Sequence, residues 1–235
     1  MHLDFPLPIL EGRLIRRYKR FFADIELLSG EIITAHCPNT GSMLSCSTAQ
    51  SPVLVSHHES PTRKLKYTWE AVQVCDGWVG VNTMRTNSLV VRAIQLNDFP
   101  TFETYHTIRT EVPYGNLRSR IDVLLSGPDV PDCYIEIKNA TLAYGEIAAF
   151  PDAVTTRGQK HLHELIAMVG QGFRAVMVYV VQRSECKRFQ PADTIDPTYG
   201  TLLREANKAG VEMIAIQTQV TYQGMNLLNP IPVEL

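Results

Sequence analysis

The sequence predicts a small all-β barrel followed by a larger, layered α/β domain, and three observations carry that expectation. Up to about Asn82, short strand-like runs recur between turn formers. Beyond Thr83 the pattern changes, and amphipathic helical stripes begin to alternate with apolar strands. Between the helices lie two alternating runs, Arg118 to Leu125 and Cys133 to Lys138, separated by Gly127, Pro128, Asp129 and Pro131. These read as a β-hairpin. The expected domains are therefore residues 1–82 and 83–235.

In the first domain, the basic run Arg13 to Phe21 leads into Ala23 to Leu27, the Ser29-Gly30 turn and Glu31 to Ala35, the pattern of a hairpin. Val53 to Val55, Tyr67 to Val74 and Trp78 to Val81 follow, the last two separated by Asp76-Gly77. Five or so short strands in this length suggest a closed OB-like β-barrel, an architecture that often binds oligonucleotides. His36 to Met43 is turn-rich and polar, the pattern of a structured loop over the barrel mouth. With Cys46, His57 and His58 it matches no usual zinc-ligand spacing.

In the second domain, Asn87-Ser88 is positioned to cap a helix whose apolar face takes Leu89, Val90, Ala93 and Ile94. After the acidic hairpin comes a connection through Phe150-Pro151-Asp152-Ala153. A helix then buries Leu162, Leu165, Ile166 and Val169 and ends at Gly170 and Gly172. Ala175 to Val181 is continuously apolar, as in a strand covered on both faces. Asp196-Pro197 opens a further helix closed by Gly210, and Val211 to Ile216 forms a last buried strand.

Composition narrows the function classes. The chain has 235 residues, 45% hydrophobic and 20% charged, and a formal net charge of −2, so any attraction to phosphate must come from local patches. Five scattered cysteines without a C-x-x-C fit free thiols in a reducing compartment. No run approaches the ~20 apolar residues of a membrane span, and Met1-His2-Leu3-Asp4 lacks the features of a signal peptide. A cytoplasmic location is expected.

Two basic patches stand out. Arg13, Arg16, Arg17, Lys19 and Arg20 are interleaved with aromatic and aliphatic residues, and Arg63, Lys64 and Lys66 repeat the theme. Cations supply phosphate affinity and aromatic faces can stack on bases, so these residues are candidates for DNA binding. Solvated cations that blunt a strand edge give the same pattern.

The acidic hairpin is the candidate site. Centred on Asp129, it sets Asp122 opposite Glu136 and Arg120 opposite Lys138. Facing carboxylates at roughly 5 Å destabilise a sheet unless something compensates. A Mg²⁺ or Mn²⁺ ion bound by Asp122 and Glu136 is one solution, with Lys138 placed to steady a phosphate or an attacking water. This is the layout of a PD-(D/E)xK nuclease core. The three-letter pattern alone is weak, since about two matches arise by chance in such a composition. Glu185-Cys186-Lys187 is a second match, placed in an expected loop. Glu111, Gln159 and Lys160 are auxiliary candidates, whereas His161 and His163, two apart on a helix, point in different directions.

Several longer strings resemble the sugar fermentation stimulation protein family, SfsA: Arg16 to Phe21, Ala35 to Met43, Ser119 to Asp122, Glu136 to Lys138, Phe150 to Leu162 and Ile195 to Pro197. The resemblance implies an OB-like domain, a PD-(D/E)xK nuclease-like α/β domain, DNA binding and a regulatory link to sugar catabolism. Carried over by position, the nuclease-like residues are Asp122, Glu136 and Lys138. Thr156 departs from the acidic residue of many members. Two readings compete: the expected one is a DNA-binding protein in which the acids are inherited structure, and the alternative is a Mg²⁺- or Mn²⁺-dependent DNA endonuclease. A third takes the basic stripe as a docking surface for an acidic protein.

Overall fold

The computed structural model describes residues 1–115 and 119–235. Arg118, the head of the expected acidic hairpin, lies outside the described residues. The elements run β1 (His2–Asp4), β2 (Ile9–Tyr18), β3 (Phe22–Leu27), β4 (Ile32–His36), β5 (Pro52–His57), β6 (Tyr67–Val74), β7 (Gly77–Gly80) and α1 (Thr83–Gln95). They continue with β8 (Thr107–Tyr114), β9 (Ser119–Gly127), β10 (Val130–Ala140), β11 (Leu142–Tyr144), β12 (Ile147–Phe150) and α2 (Thr156–Gly170). The chain ends with β13 (Arg174–Val181), β14 (Arg188–Pro191), α3 (Pro197–Ala209), β15 (Glu212–Val220) and β16 (Gly224–Ile231).

Alternation builds the barrel. In β2, Gly12 and Leu14 are buried while Arg13 and Arg16 are exposed, so one face of the strand must be covered. Neighbours run β4, β3, β2, β5, β6, and β6 returns parallel to β4, with Ala35 opposite Tyr67. This closes a five-stranded OB barrel around Leu14, Ile25, Val53, Val55 and Trp69. Strand β1 does not join it. It pairs with β16, His2 opposite Asn226, which brings the two ends of the described chain together in the second domain.

The α/β domain is a three-layer sandwich. Strand β13 lies between β10 and β15, parallel to both, and β9 and β8 extend the β10 side antiparallel. Every residue of β13 from Ala175 to Val181 is buried, because α1 covers one face of the sheet and α2 with α3 the other. A second sheet, β11-β12-β14, occupies what the sequence suggested was a plain connection. Helix α1 buries Leu89, Val90, Ala93 and Ile94 as expected, but it starts earlier. Asn82, not Asn87, caps it, accepting the Met84 N–H at 3.1 Å. No helix among the described residues is long and apolar enough to cross a membrane.

A buried acid ties the two domains together. Glu70 on β6 is fully buried and accepts hydrogen bonds from Ser56 Oγ at 2.7 Å and Asn82 Nδ2 at 2.8 Å. Its two oxygens also meet the Arg85 guanidinium, each at 3.3 Å. Breaking a buried charge pair costs about 3–5 kcal/mol, against about 0–1 kcal/mol for an exposed one. Glu70 therefore fixes the start of α1 against the barrel far more firmly than a surface pair does. That start borders the cleft between the domains.

Candidate active site

The expected register is present, with one change at its end. Tyr134 pairs with Leu124 and Ile135 with Val123, so one further step sets Glu136 opposite Asp122. The ladder stops before that step. Asp122 Oδ2 instead accepts the backbone N–H of Ile137 at 2.7 Å, and Asn87 Nδ2 donates to Asp122 Oδ1 at 3.0 Å. Because β9 and β10 separate here, Arg120 does not reach Lys138. It pairs with Pro113 on β8 and donates to the Glu111 carbonyl.

Glu136 and Lys138 lie on the α2 side of the sheet. Lys138 Nζ donates to Glu136 Oε1 at 2.6 Å, and His161 Nδ1 bonds the same oxygen. An ionised carboxylate only accepts, so Nδ1 carries the proton. The other oxygen, Glu136 Oε2, is buried and has no hydrogen-bond partner among the described residues. An unpaired buried acceptor costs about 1–3 kcal/mol, more when charged, and so calls for a ligand or a function.

The two carboxyls titrate apart. Burial, then the charge of Glu136, pushes Asp122 up to about 7, although the Ile137 N–H and Lys138 pull the other way. Burial also opposes the charge of Glu136, but Lys138 and His161 together outweigh it and hold this carboxyl below its usual value. The phenol of Tyr114 nearby is raised by burial and by the same acids.

Asp122, Glu136 and Lys138 line a cleft of about 630 Å³ between the barrel and the α/β domain. One wall is the Asn39 to Met43 strap. Arg17 shapes it by donating to the carbonyls of Asn39 at 2.9 Å, Gly41 at 2.8 Å, Ser42 at 3.3 Å and Arg20 at 3.1 Å. The strap then docks on Asp152, whose Oδ2 takes the Met43 N–H at 2.7 Å. A Cβ at Gly41 would lie 2.7 Å from the Asp152 carboxylate, so any larger residue there would have to displace that side chain. The start of α2 also lines the cleft, and there Thr155 Oγ1 accepts the Gly158 N–H.

Comparison with known proteins decides the family. The model described as the SfsA N-terminal OB domain matches residues 15–81, and the one described as the sugar fermentation stimulation protein RE domain matches residues 84–224. The chain belongs to the SfsA family. A sugar fermentation stimulation protein homolog of Geotalea uraniireducens is 51% identical over 233 residues, covering 99% of this chain and 100% of the relative. Its counterpart in Rippkaea orientalis is 50% identical over 97% of this chain and 95% of the relative. The solved structure of Pyrococcus furiosus SfsA in complex with Ca²⁺ matches with a TM-score of 0.92 at 25% identity, covering 100% of both chains.

Within this SfsA-family fold the expected site residues separate. Asp122, Glu136, Lys138, Arg17 and Arg20 border one cleft. Arg16 leans away, pairing with Asp24 at 2.8 Å and covering the Tyr18 ring. Arg13 donates to the Gln50 carbonyl, and Arg63 to Thr68 Oγ1 at 2.6 Å, while Lys19, Lys64 and Lys66 are exposed outside the cleft. Glu111 stands at the register position opposite Asp122, but its left-handed backbone, φ 54°, interrupts the ladder and its side chain is exposed outside the cleft. Gln159 does not reach the acids. Its amide donates to both oxygens of Asp196, which also caps α3. Lys160 does not line the cleft either.

Sequence reasoning missed Asn87 and His161. Asn87 lies inside α1, where the expected cap put it at the end. His161 is buried on the helix face that also carries Leu165 and Met168, a polar residue in an apolar stripe, and that signal was present. Glu185-Cys186-Lys187 lies in a loop, as expected. No group of three or more His, Cys, Asp or Glu side chains suited to a metal occurs among the described residues. Asp122, Glu136 and Asp152 are the carboxylates that line the cleft, and Asp152 is engaged by the strap.

Proposed function

We propose that this protein binds DNA in the cleft between its two domains and hydrolyses phosphodiester bonds there with Mg²⁺ or Mn²⁺. One observation carries the reading: Glu136, whose buried Oε2 has no partner among the described residues, lines the same cleft as Asp122. A hard cation reconciles two such acids, and Mg²⁺ commonly uses one or two carboxylates while keeping several waters. The Ca²⁺ bound by the Pyrococcus furiosus relative is of the same oxygen-seeking class.

Asp122 and Glu136 would hold the ion. When bound, it would lower the pKa of a water and screen the scissile phosphate. Asn87 and the Ile137 N–H fix the Asp122 carboxylate, leaving little freedom to lose on binding. His161 holds Glu136 through Oε1, so Oε2 stays available. Lys138 supplies a positive charge for the negative charge that develops on the phosphate. Arg20 adds a cation at the edge of the same cleft.

A second reading is DNA binding without turnover, consistent with a regulatory role. It is favoured by the resting contacts of Glu136, whose charge is already met by Lys138 and His161. Plasmid and oligonucleotides incubated with Mg²⁺, Mn²⁺ or chelator, beside a Glu136→Gln variant, separate the two. Metal-dependent cleavage lost in the variant supports hydrolysis. Salt-sensitive binding without cleavage supports the second reading, and no binding refutes both.

A further inference from the structure

Two apolar side chains at the cleft are left largely exposed. Met84, at the start of α1, is 70% exposed, and Val154, just before α2, is 67% exposed. Both line the cleft that holds Asp122 and Glu136. Exposed single apolar residues are ordinary, but two on the rim of one polar cleft are placed for contact. The same rim carries Arg20 and Arg157, exposed and without a carboxylate partner among the described residues. Cations and apolar surface thus share the rim of the cleft that holds the acids. A nucleic-acid strand presents phosphates and base faces, which suit these two kinds of surface.

The cleft is also small. Its volume of about 630 Å³ falls in the range of pockets that take small ligands, roughly 300–1,000 Å³. A duplex, with a major groove about 12 Å wide that admits a whole α-helix, is too bulky to be enclosed in that space. Glu136 is only 2% exposed, so a phosphate must enter the cleft to approach it. Widening the cleft for a duplex would pull the strap from Asp152, breaking the Met43 N–H and Ser42 Oγ hydrogen bonds. Arg17, with four carbonyl contacts, resists that movement.

From these observations, and resting on the nucleic-acid reading above, we infer that the cleft takes single-stranded DNA. Arg20 and Arg157 hold its phosphates, and Met84 and Val154 pack against its unpaired bases. Apolar side chains can wedge between bases at the cost of unstacking them, and that cost is least where the strand is already unpaired.

The test compares anisotropy titrations of a labelled single-stranded oligonucleotide and of the same sequence as a blunt duplex, with chelator present to prevent cleavage. Wild type is set beside a Met84→Ala, Val154→Ala double variant, whose fold is checked by thermal melting because both side chains are exposed. The expected result is tighter binding of the strand, with a loss of roughly tenfold on the strand alone in the double variant. An Arg20→Ala, Arg157→Ala variant should weaken strand binding and flatten its salt dependence. Duplex bound as tightly as the strand, or an apolar variant that weakens both equally, overturns the inference while leaving DNA binding intact. Failure to bind either form overturns the DNA reading itself.

Discussion

Asp122 Oδ2 accepts the backbone N–H of Ile137 at 2.7 Å, at the point where the ladder between β9 and β10 stops. A side chain thus takes a main-chain bond that a regular hairpin would make between strands, and the strands part. That parting lets the acid of one strand enter a cleft beside the acid of the next. Four expectations follow from this arrangement and its supports.

Asp122 should make stability fall as pH rises. Its carboxyl sits at about 7 in the folded protein, against about 3.9 unfolded. Below pH ~4 both states hold the proton; between ~4 and ~7 only the folded state does, so its advantage is lost through that window. The size is on the order of 4 kcal/mol. Glu136, held below its ordinary 4.5, acts in the opposite sense and at lower pH. Urea unfolding of Asp122→Asn from pH 4 to 8 should show this slope removed, with the variant more stable than wild type at pH 8. A variant that tracks wild type across the range contradicts the assignment.

His161 should act through Glu136. It fixes the carboxylate by Oε1 without offering a second acid, as an outer partner of a metal ligand does. Such partners are worth roughly 10- to 100-fold in metal affinity. His161→Ala should therefore weaken Mn²⁺ binding by that factor, with the melting temperature lowered only modestly. Unchanged affinity in a folded variant would make the histidine merely structural.

Arg17 should be structural although it belongs to the basic stripe. Its guanidinium satisfies four carbonyls of the strap and the hairpin tip, and hydrogen bonds to a charged group contribute about 1.5–3 kcal/mol each, with incomplete additivity. Arg17→Lys keeps the charge but cannot reproduce that fork. Chemical denaturation should show a loss of about 2–4 kcal/mol for the lysine variant. Arg20→Lys, at an exposed position, should be near neutral.

Much of this was legible in the sequence because it depends on local period. Alternation gave the barrel strands and the hairpin register, and the apolar run at Ala175 to Val181 marked the central strand. The α1 face was right while its cap was wrong, since Asn82 and Asn87 both suit a cap and only the Glu70 network at the domain junction distinguishes them. Strand β8 was missed because its outward residues are mostly exposed and Glu111 interrupts it. The pairing of β1 with β16, the reach of Asn87 to Asp122 and the docking of the strap on Asp152 are contacts across long sequence separations. No local pattern encodes them. Gln159 shows the converse error: its place in a specific string reflects its bond to Asp196, not a role among the acids.

Asp122 and Glu136 should together grip one divalent cation. Calorimetric titration of Mn²⁺ into wild type, Asp122→Asn and Glu136→Gln at pH 8, where Asp122 is mostly ionised, tests it most directly. One site per chain is expected in wild type, abolished in either variant. Binding that persists undiminished in both, or no binding in the wild type, would contradict it.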